Sequence, residues 1–140
     1  MNKEKEKTLA IIKPDGMKNI IEIIEMIYKT GLIIKKYEVR MLDEDIINEH
    51  YSHLVDRAFY PSLKKYMMSS EVVVMILEGE NAVEKLRDLM GPTDSTKAPT
   101  GTIRGEFGTD ITFNAIHGSD SKENAEIEIN RFFNQKQKRI

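Results

Sequence analysis

The chain contains no cysteine, which excludes disulfide frameworks, thiolate metal sites and cysteine nucleophiles together while leaving the compartment open. Long hydrophobic runs are missing too. The longest apolar stretches, such as Val72 to Leu77, are far too short to cross a bilayer, and Met1 to Lys7 is a charged segment with no apolar core behind it. A cytoplasmic protein with no membrane partner is the expectation. Charge of one sign is scarce, because 21 Lys+Arg against 23 Asp+Glu leave a net −2. That excludes the broad basic face a nucleic-acid polymer needs, whereas a small anion requires only a few local cations. A Walker A motif is absent: Gly91-Pro92-Thr93-Asp94-Ser95-Thr96-Lys97 has a lysine but no glycine immediately before it, which argues against a P-loop kinase. Neither an internal repeat nor a linker breaks the chain, and 140 residues suit one domain over residues 1–140, burying roughly two-thirds of its unfolded surface.

What is present is periodicity. Thr8 to Ile12 is an apolar run stopped by Pro14-Asp15-Gly16, the composition of a buried strand ending in a turn. Ile20, Ile23, Ile24 and Ile27 fall at helical spacing, with Asn19 and Glu22 as a capping box and Gly31 at the left-handed C-cap position. Lys36 to Met41 alternates charged and apolar residues, predicting a strand with one face exposed. Asp43 opens a polar helix that would hold His50, Tyr51 and His53, and Pro61 to Met68 predicts a second short one. Val72 to Leu77 reads as a central strand, and Val83, Leu86, Leu89 and Met90 as a helix ended by Gly91. Pro92 to Asp110 has no sustained period and reads as a long functional loop. Ile111 to Ile116 predicts a last strand, Ser121 to Phe133 a last helix with Ala125, Ile129, Phe132 and Phe133 inward, and the residues after Asn134 a frayed tail. This order predicts an α+β sandwich of the ferredoxin-like type, an antiparallel four-stranded sheet covered by helices.

Chemistry can be carried by few residues. His117-Gly118-Ser119-Asp120-Ser121 lies between a strand and a helix, where a side chain projects from a rigid edge and helix-start amides face any anion. The plain structural alternative is a turn at Gly118 and a helix cap from Asp120 with Glu123. Glu128 falls on the margin of the last helix's apolar face, where a carboxylate needs a partner. It can take one imidazole nitrogen of His117 and leave the other as a nucleophile, or be a surface glutamate. Lys13, Arg87 and Arg104 stand at element ends or in the long loop and are the cations phosphate chemistry would need, although each alone reads as a solvated residue. His50 and His53 could share a metal, but without an obvious third ligand they read as a solvated helix face. Phe59-Tyr60 is either core or a stacking platform.

Taken together, Thr8-Leu9-Ala10-Ile11-Ile12-Lys13-Pro14-Asp15-Gly16, Glu49-His50-Tyr51, Gly101-Thr102-Ile103-Arg104-Gly105 and Asn114-Ala115-Ile116-His117-Gly118-Ser119-Asp120-Ser121 closely resemble the nucleoside diphosphate kinases, in order from about Thr8 to Phe133. The resemblance implies ping-pong transfer of a γ-phosphate through phosphorylated His117, with Glu128 and Ser119 orienting its ring and Lys13 and Tyr51 near the transferred group. It implies that Arg87, Thr93 and Arg104 hold the phosphates, that Asn114 with Lys13 binds the ribose, and that Phe59 stacks on the base. Partners would be nucleoside di- and triphosphates, the cofactor Mg²⁺ carried on their phosphates, and the assembly a homo-oligomer built from dimers. Positive charge and positioning are what phosphoryl transfer demands, and a stacking contact tolerates any base. The segment between Gly16 and the first helix is shorter than in most family members, the tail is brief, and the loop around Asp94-Ser95-Thr96-Lys97 differs from the commonest family pattern, which has a proline near Ser95. A nucleotide-binding regulator without activity, and a ferredoxin-like effector-binding module, are the competing readings.

Overall fold

The structure, a computed structural model, describes residues 5–133. Its elements are β1 (Glu6–Ile12), α1 (Ile20–Lys29), β2 (Ile33–Arg40), α2 (Glu44–His50), α3 (Tyr60–Met67), β3 (Val72–Gly79), α4 (Ala82–Met90), α5 (Ile103–Phe107), β4 (Ile116–Gly118) and α6 (Lys122–Phe133). The strands form one antiparallel sheet in the order β2-β3-β1-β4, the expected ferredoxin-like α+β arrangement. β1 from Leu9 to Ile12 and β3 from Val72 to Leu77 are continuous apolar runs because helices cover both faces. Ala10, Ile12, Val73, Met75 and Leu77 pack with Ile23 and Ile27 of α1 and Leu86 of α4. Leu9, Ile11, Val72, Val74 and Ile76 meet Ile46 and Ile47 of α2, Met67 of α3 and Phe132 of α6. Each of the larger of these buried side chains contributes about 1.5–3 kcal/mol. No helix among the described residues is long and apolar enough to cross a membrane.

Several sequence expectations need correction. Asn19 makes no side-chain cap, because a 3-10 segment at Pro14–Asn19 runs straight into α1 and the Ile20 amide already bonds to the Met17 carbonyl. α2 stops at His50, leaving Tyr51 just past it and His53 in a separate 3-10 turn. The long loop is not structureless: it holds a 3-10 turn at Ser95–Lys97 and α5, started by the Thr102 hydroxyl accepting from the Gly105 amide at 3.0 Å. Ile111 to Asn114 is not strand, so β4 begins at Ile116 and includes His117. At the start of α6 the Ser121 hydroxyl, rather than Asp120, accepts from a helix amide, that of Asn124, at 3.0 Å. The tail after Asn134 lies outside the described residues.

Candidate active site

The site is built where β1 runs out. The Lys13 amide donates to the Ala115 carbonyl at 2.9 Å, and the Ala115 amide donates to Asp15 Oδ2 at 3.1 Å. The other Asp15 oxygen accepts from the Tyr66 hydroxyl of α3. Between these clamps Ala115 adopts φ +73°, and the Ile116 amide turns back to the Asn114 carbonyl at 2.8 Å, closing a γ-turn with positive φ. An alanine is strained there and holds only because its surroundings over-determine it. The turn separates Asn114 from His117 and sends each into the same cavity. Asn114 Oδ1 accepts from Lys13 Nζ at 2.8 Å, and its Nδ2 donates to the Thr93 carbonyl at 2.9 Å.

His117 pairs across the sheet with Ile11 of β1. Its Nε2 lies 3.0 Å from Glu128 Oε1, and the same oxygen accepts from the fully buried Ser119 hydroxyl at 2.6 Å. Burial acts most strongly on the Glu128 carboxyl, pushing it upward, but the hydrogen bond and charge of His117, the Ser119 hydroxyl and His50 together hold it below the ordinary value. An ionised carboxylate only accepts, so the His117 proton sits on Nε2 and its lone pair on Nδ1. Nδ1 makes no hydrogen bond among the described residues.

Around that nitrogen opens a cavity of about 870 Å³. Lys13, Arg87 and Arg104 all line it, as do Tyr51, Phe59, Thr93, Asn114 and Glu128; Ser119 stands behind, through Glu128. Burial, then the charge of Arg104, lowers Lys13 to about 8, with Asp15 and Asp110 working against them. Arg104 is lowered to about 10 by burial and by Arg87. Cations that discourage one another's charge in this way gain most from an anion between them. Among the cavity's described lining residues, two buried polar groups stand without a hydrogen-bond partner, the Tyr51 hydroxyl and Arg104 Nε. Burial keeps the Tyr51 phenol protonated and so a donor.

Arg104 departs from its expected place in a loop. It belongs to α5, and its other two nitrogens donate to the carbonyls of Gly91 at 3.0 Å and Ile116 at 2.8 Å, stitching the end of α4 to β4. Phe59, 53% exposed, stands at the rim and not in the core. His50 overturns its solvated reading. It is 8% exposed, beneath α6, with its ring centroid 4.7 Å from that of His117. Ile46, Ile47 and His50 share one helical stripe, and that spacing is the signal by which its burial could have been read. Ile111, a further lining residue, carried no sequence signal because it lies in irregular chain.

The chain matches the family model described as nucleoside diphosphate kinase over residues 6–138. It is 45% identical over 130 residues to the nucleoside diphosphate kinase of Thermobifida fusca, covering 91% of this chain and 96% of that protein. The Wolinella succinogenes nucleoside diphosphate kinase is 48% identical over 130 residues, covering 91% and 95%. Among solved structures, the Aquifex aeolicus nucleoside diphosphate kinase superposes with a TM-score of 0.87 at 38% identity, covering 93% of this chain and 96% of that one. A halophilic nucleoside diphosphate kinase from Halobacterium salinarum, solved in complex with CDP, gives 0.90 at 36% identity, covering 95% and 90%.

Proposed function

The chain belongs to the nucleoside diphosphate kinase family, and we propose that His117 is the residue through which it passes a γ-phosphate from a nucleoside triphosphate to a diphosphate. The observation that carries this is the His117 ring, held through Nε2 by Glu128 with its bare Nδ1 on a cavity lined by Lys13, Arg87 and Arg104. Nδ1 attacks the γ-phosphorus, the bond to the bridging oxygen breaks, and the nucleoside diphosphate leaves with that electron pair. Glu128 steadies the imidazole as positive charge develops on it, and a second diphosphate reverses the step. Arg87, Arg104 and Thr93 hold the phosphates, Lys13 and Tyr51 donate near the transferred group, Asn114 with Lys13 binds the ribose, and Phe59 stacks on the base.

Mg²⁺ fits this reading as a companion of the nucleotide. His50, His117 and Glu128 are the cluster of metal-ligand type among the described residues, but Glu128 is occupied by His117 and Ser119. The cation would sit on phosphate oxygens held by Arg87, Thr93 and Arg104, where it neutralises charge during transfer. A cytoplasmic enzyme acting on nucleoside di- and triphosphates, assembled as a homo-oligomer from dimers, completes the proposal. Incubation with ATP and Mg²⁺ but no acceptor should leave an acid-labile, alkali-stable phosphate on the protein, discharged by any nucleoside diphosphate and abolished by His117→Ala. Tight nucleotide binding without labelling would replace this reading with a regulatory one.

A further inference from the structure

His50 takes no part in the chemistry described above, yet its ring stands against the nucleophile. The centroids of His50 and His117 are 4.7 Å apart with the planes at 84°. Tyr51 packs edge-on to His50 at 4.8 Å, Phe132 of α6 does so at 5.3 Å, and Arg131 Nη1 lies 2.8 Å from His50 Nδ1. A guanidinium can only donate, so His50 Nδ1 accepts and its proton resides on Nε2. Burial and then the nearby His117 lower His50 to about 3, with Arg131 and Lys13 acting the same way and Glu128 against them. Ligand atoms of His50, His117 and Glu128 lie within 4.8 Å of one another, a spacing that would suit a metal ion. Arg131 argues against one: a metal on Nδ1 would displace its donor, and a metal on Nε2 would drive the proton to Nδ1, against that same donor.

The arrangement answers a different need. The Glu128 hydrogen bond grips His117 at Nε2, but rotation about the Cβ–Cγ bond sweeps Nδ1, the attacking atom, through a wider arc than Nε2. A second restraint on the ring plane is therefore useful, and a perpendicular ring in contact supplies one. We propose that Arg131 and His50 are positioning residues for His117: Arg131 locks the His50 ring in one tautomer and orientation, and the locked ring holds the plane of the nucleophile. The proposal rests on His117 being the phosphorylated residue, and Arg131 acts only through His50.

Three variants separate the possibilities. Arg131→Met keeps an apolar stem and removes the donor, Arg131→Lys restores a donor, and His50→Phe keeps a ring and removes the acceptor. Nitrogen-edited NMR of the imidazoles reads the pair without turnover. In the wild type His50 should show a single Nε2–H tautomer at neutral pH, and in Arg131→Met an averaged one. Rapid-quench labelling of His117 by ATP should then be slowed about three- to tenfold in Arg131→Met, the scale of a loosened side-chain torsion. ADP affinity should stay unchanged, and Arg131→Lys should recover most of the rate. An unaltered His50 tautomer in Arg131→Met overturns the proposal, as does a full labelling rate, or a rate loss that Arg131→Lys shares or that ADP affinity matches. Failure of wild-type protein to label at all would sink the transfer reading instead, and the NMR result would still report whether the pair exists.

Discussion

Lys13 is the residue in which the cost of the site is most visible. Its folded value of about 8 lies below the ordinary 10.5, so between those values the folded chain holds fewer protons than the unfolded one. Stability of the free protein therefore rises with pH across that window. Bound phosphates bring opposite charge and lift Lys13 back, so ADP binding should take up protons near pH 8, and affinity should decline as pH climbs further. Calorimetric titration in two buffers of different ionisation enthalpy measures that uptake; Lys13→Met should remove it, and uptake that persists in the variant would assign the proton elsewhere. Under the proposed function Arg104 would have two roles, because its removal strands the carbonyls of Gly91 and Ile116 and would also strand a phosphate. Arg104→Ala should lower stability by about 1–3 kcal/mol and also lower turnover, so melting and rate belong in one experiment. Phe59, exposed at the rim, should instead affect binding alone. Phe59→Ala is expected to weaken purine and pyrimidine diphosphates alike, by roughly 1–3 kcal/mol, and loss confined to one base would make it a specific reader.

At the scale of elements, legibility followed locality. α1 and α4 were readable because an apolar stripe at three- and four-residue spacing is written in consecutive residues, and β1 and β3 because their stretches covered on both faces, Leu9 to Ile12 and Val72 to Leu77, are continuous apolar runs. α5 was not readable. A five-residue helix has too little propensity of its own, and this one is held by the Thr102 cap and by Arg104 reaching to Gly91 and Ile116. The turn at Ala115 was equally hidden, since no glycine or asparagine marks a positive φ there and the clamp comes from Asp15 and Lys13, a hundred residues away. The residues expected from the motifs nevertheless line one cavity, with Ser119 behind it, since resemblance carries long-range geometry that periodicity cannot. The clamp itself makes a test. A Cβ on Gly16 would stand 2.5 Å from the Ala115 carbonyl oxygen, which is backbone and cannot step aside. Gly16→Ala should therefore cost about 1–3 kcal/mol and lower turnover by shifting Asn114 and His117 together. A stable variant with normal activity would mean that the turn adapts and that its strain does not set the site.

Over the whole molecule, the sequence reading of β2 was right in its alternation and incomplete in its burial. Lys36 Nζ lies over the Phe133 ring and the Arg40 guanidinium over Phe132, so the charged side of the strand sets its cationic heads on aromatic rings of α6. The apolar side is the exposed one. Tyr37 and Val39 pair with Met75 and Val73, which point to the α1 side of the sheet, yet they remain 46% and 45% exposed. α1 adds Ile21 and Tyr28, at 78% and 75% and seven apart, on one side of that helix. Scattered apolar residues need no explanation, but a strand and a helix on the same face of a sheet both left uncovered are what an interface looks like before its partner arrives. A second copy brings the same residues, and a two-fold axis lets Tyr37 and Val39 serve both halves of one contact. β2 is also an edge strand, and its irregularity between Ile34 and Lys36 breaks the flat ladder that would favour open-ended pairing. The expectation is thus a closed assembly of even copy number, and sedimentation in dilute buffer should show a dimer or a multiple of it at micromolar concentration. Val39→Lys should move that species toward monomer while leaving the cavity residues in place, because a buried unpaired ammonium opposes association far more than it disturbs an exposed position. A wild-type monomer at micromolar concentration, or a Val39→Lys variant that assembles unchanged, would show that this face is covered by something other than a second copy of the chain.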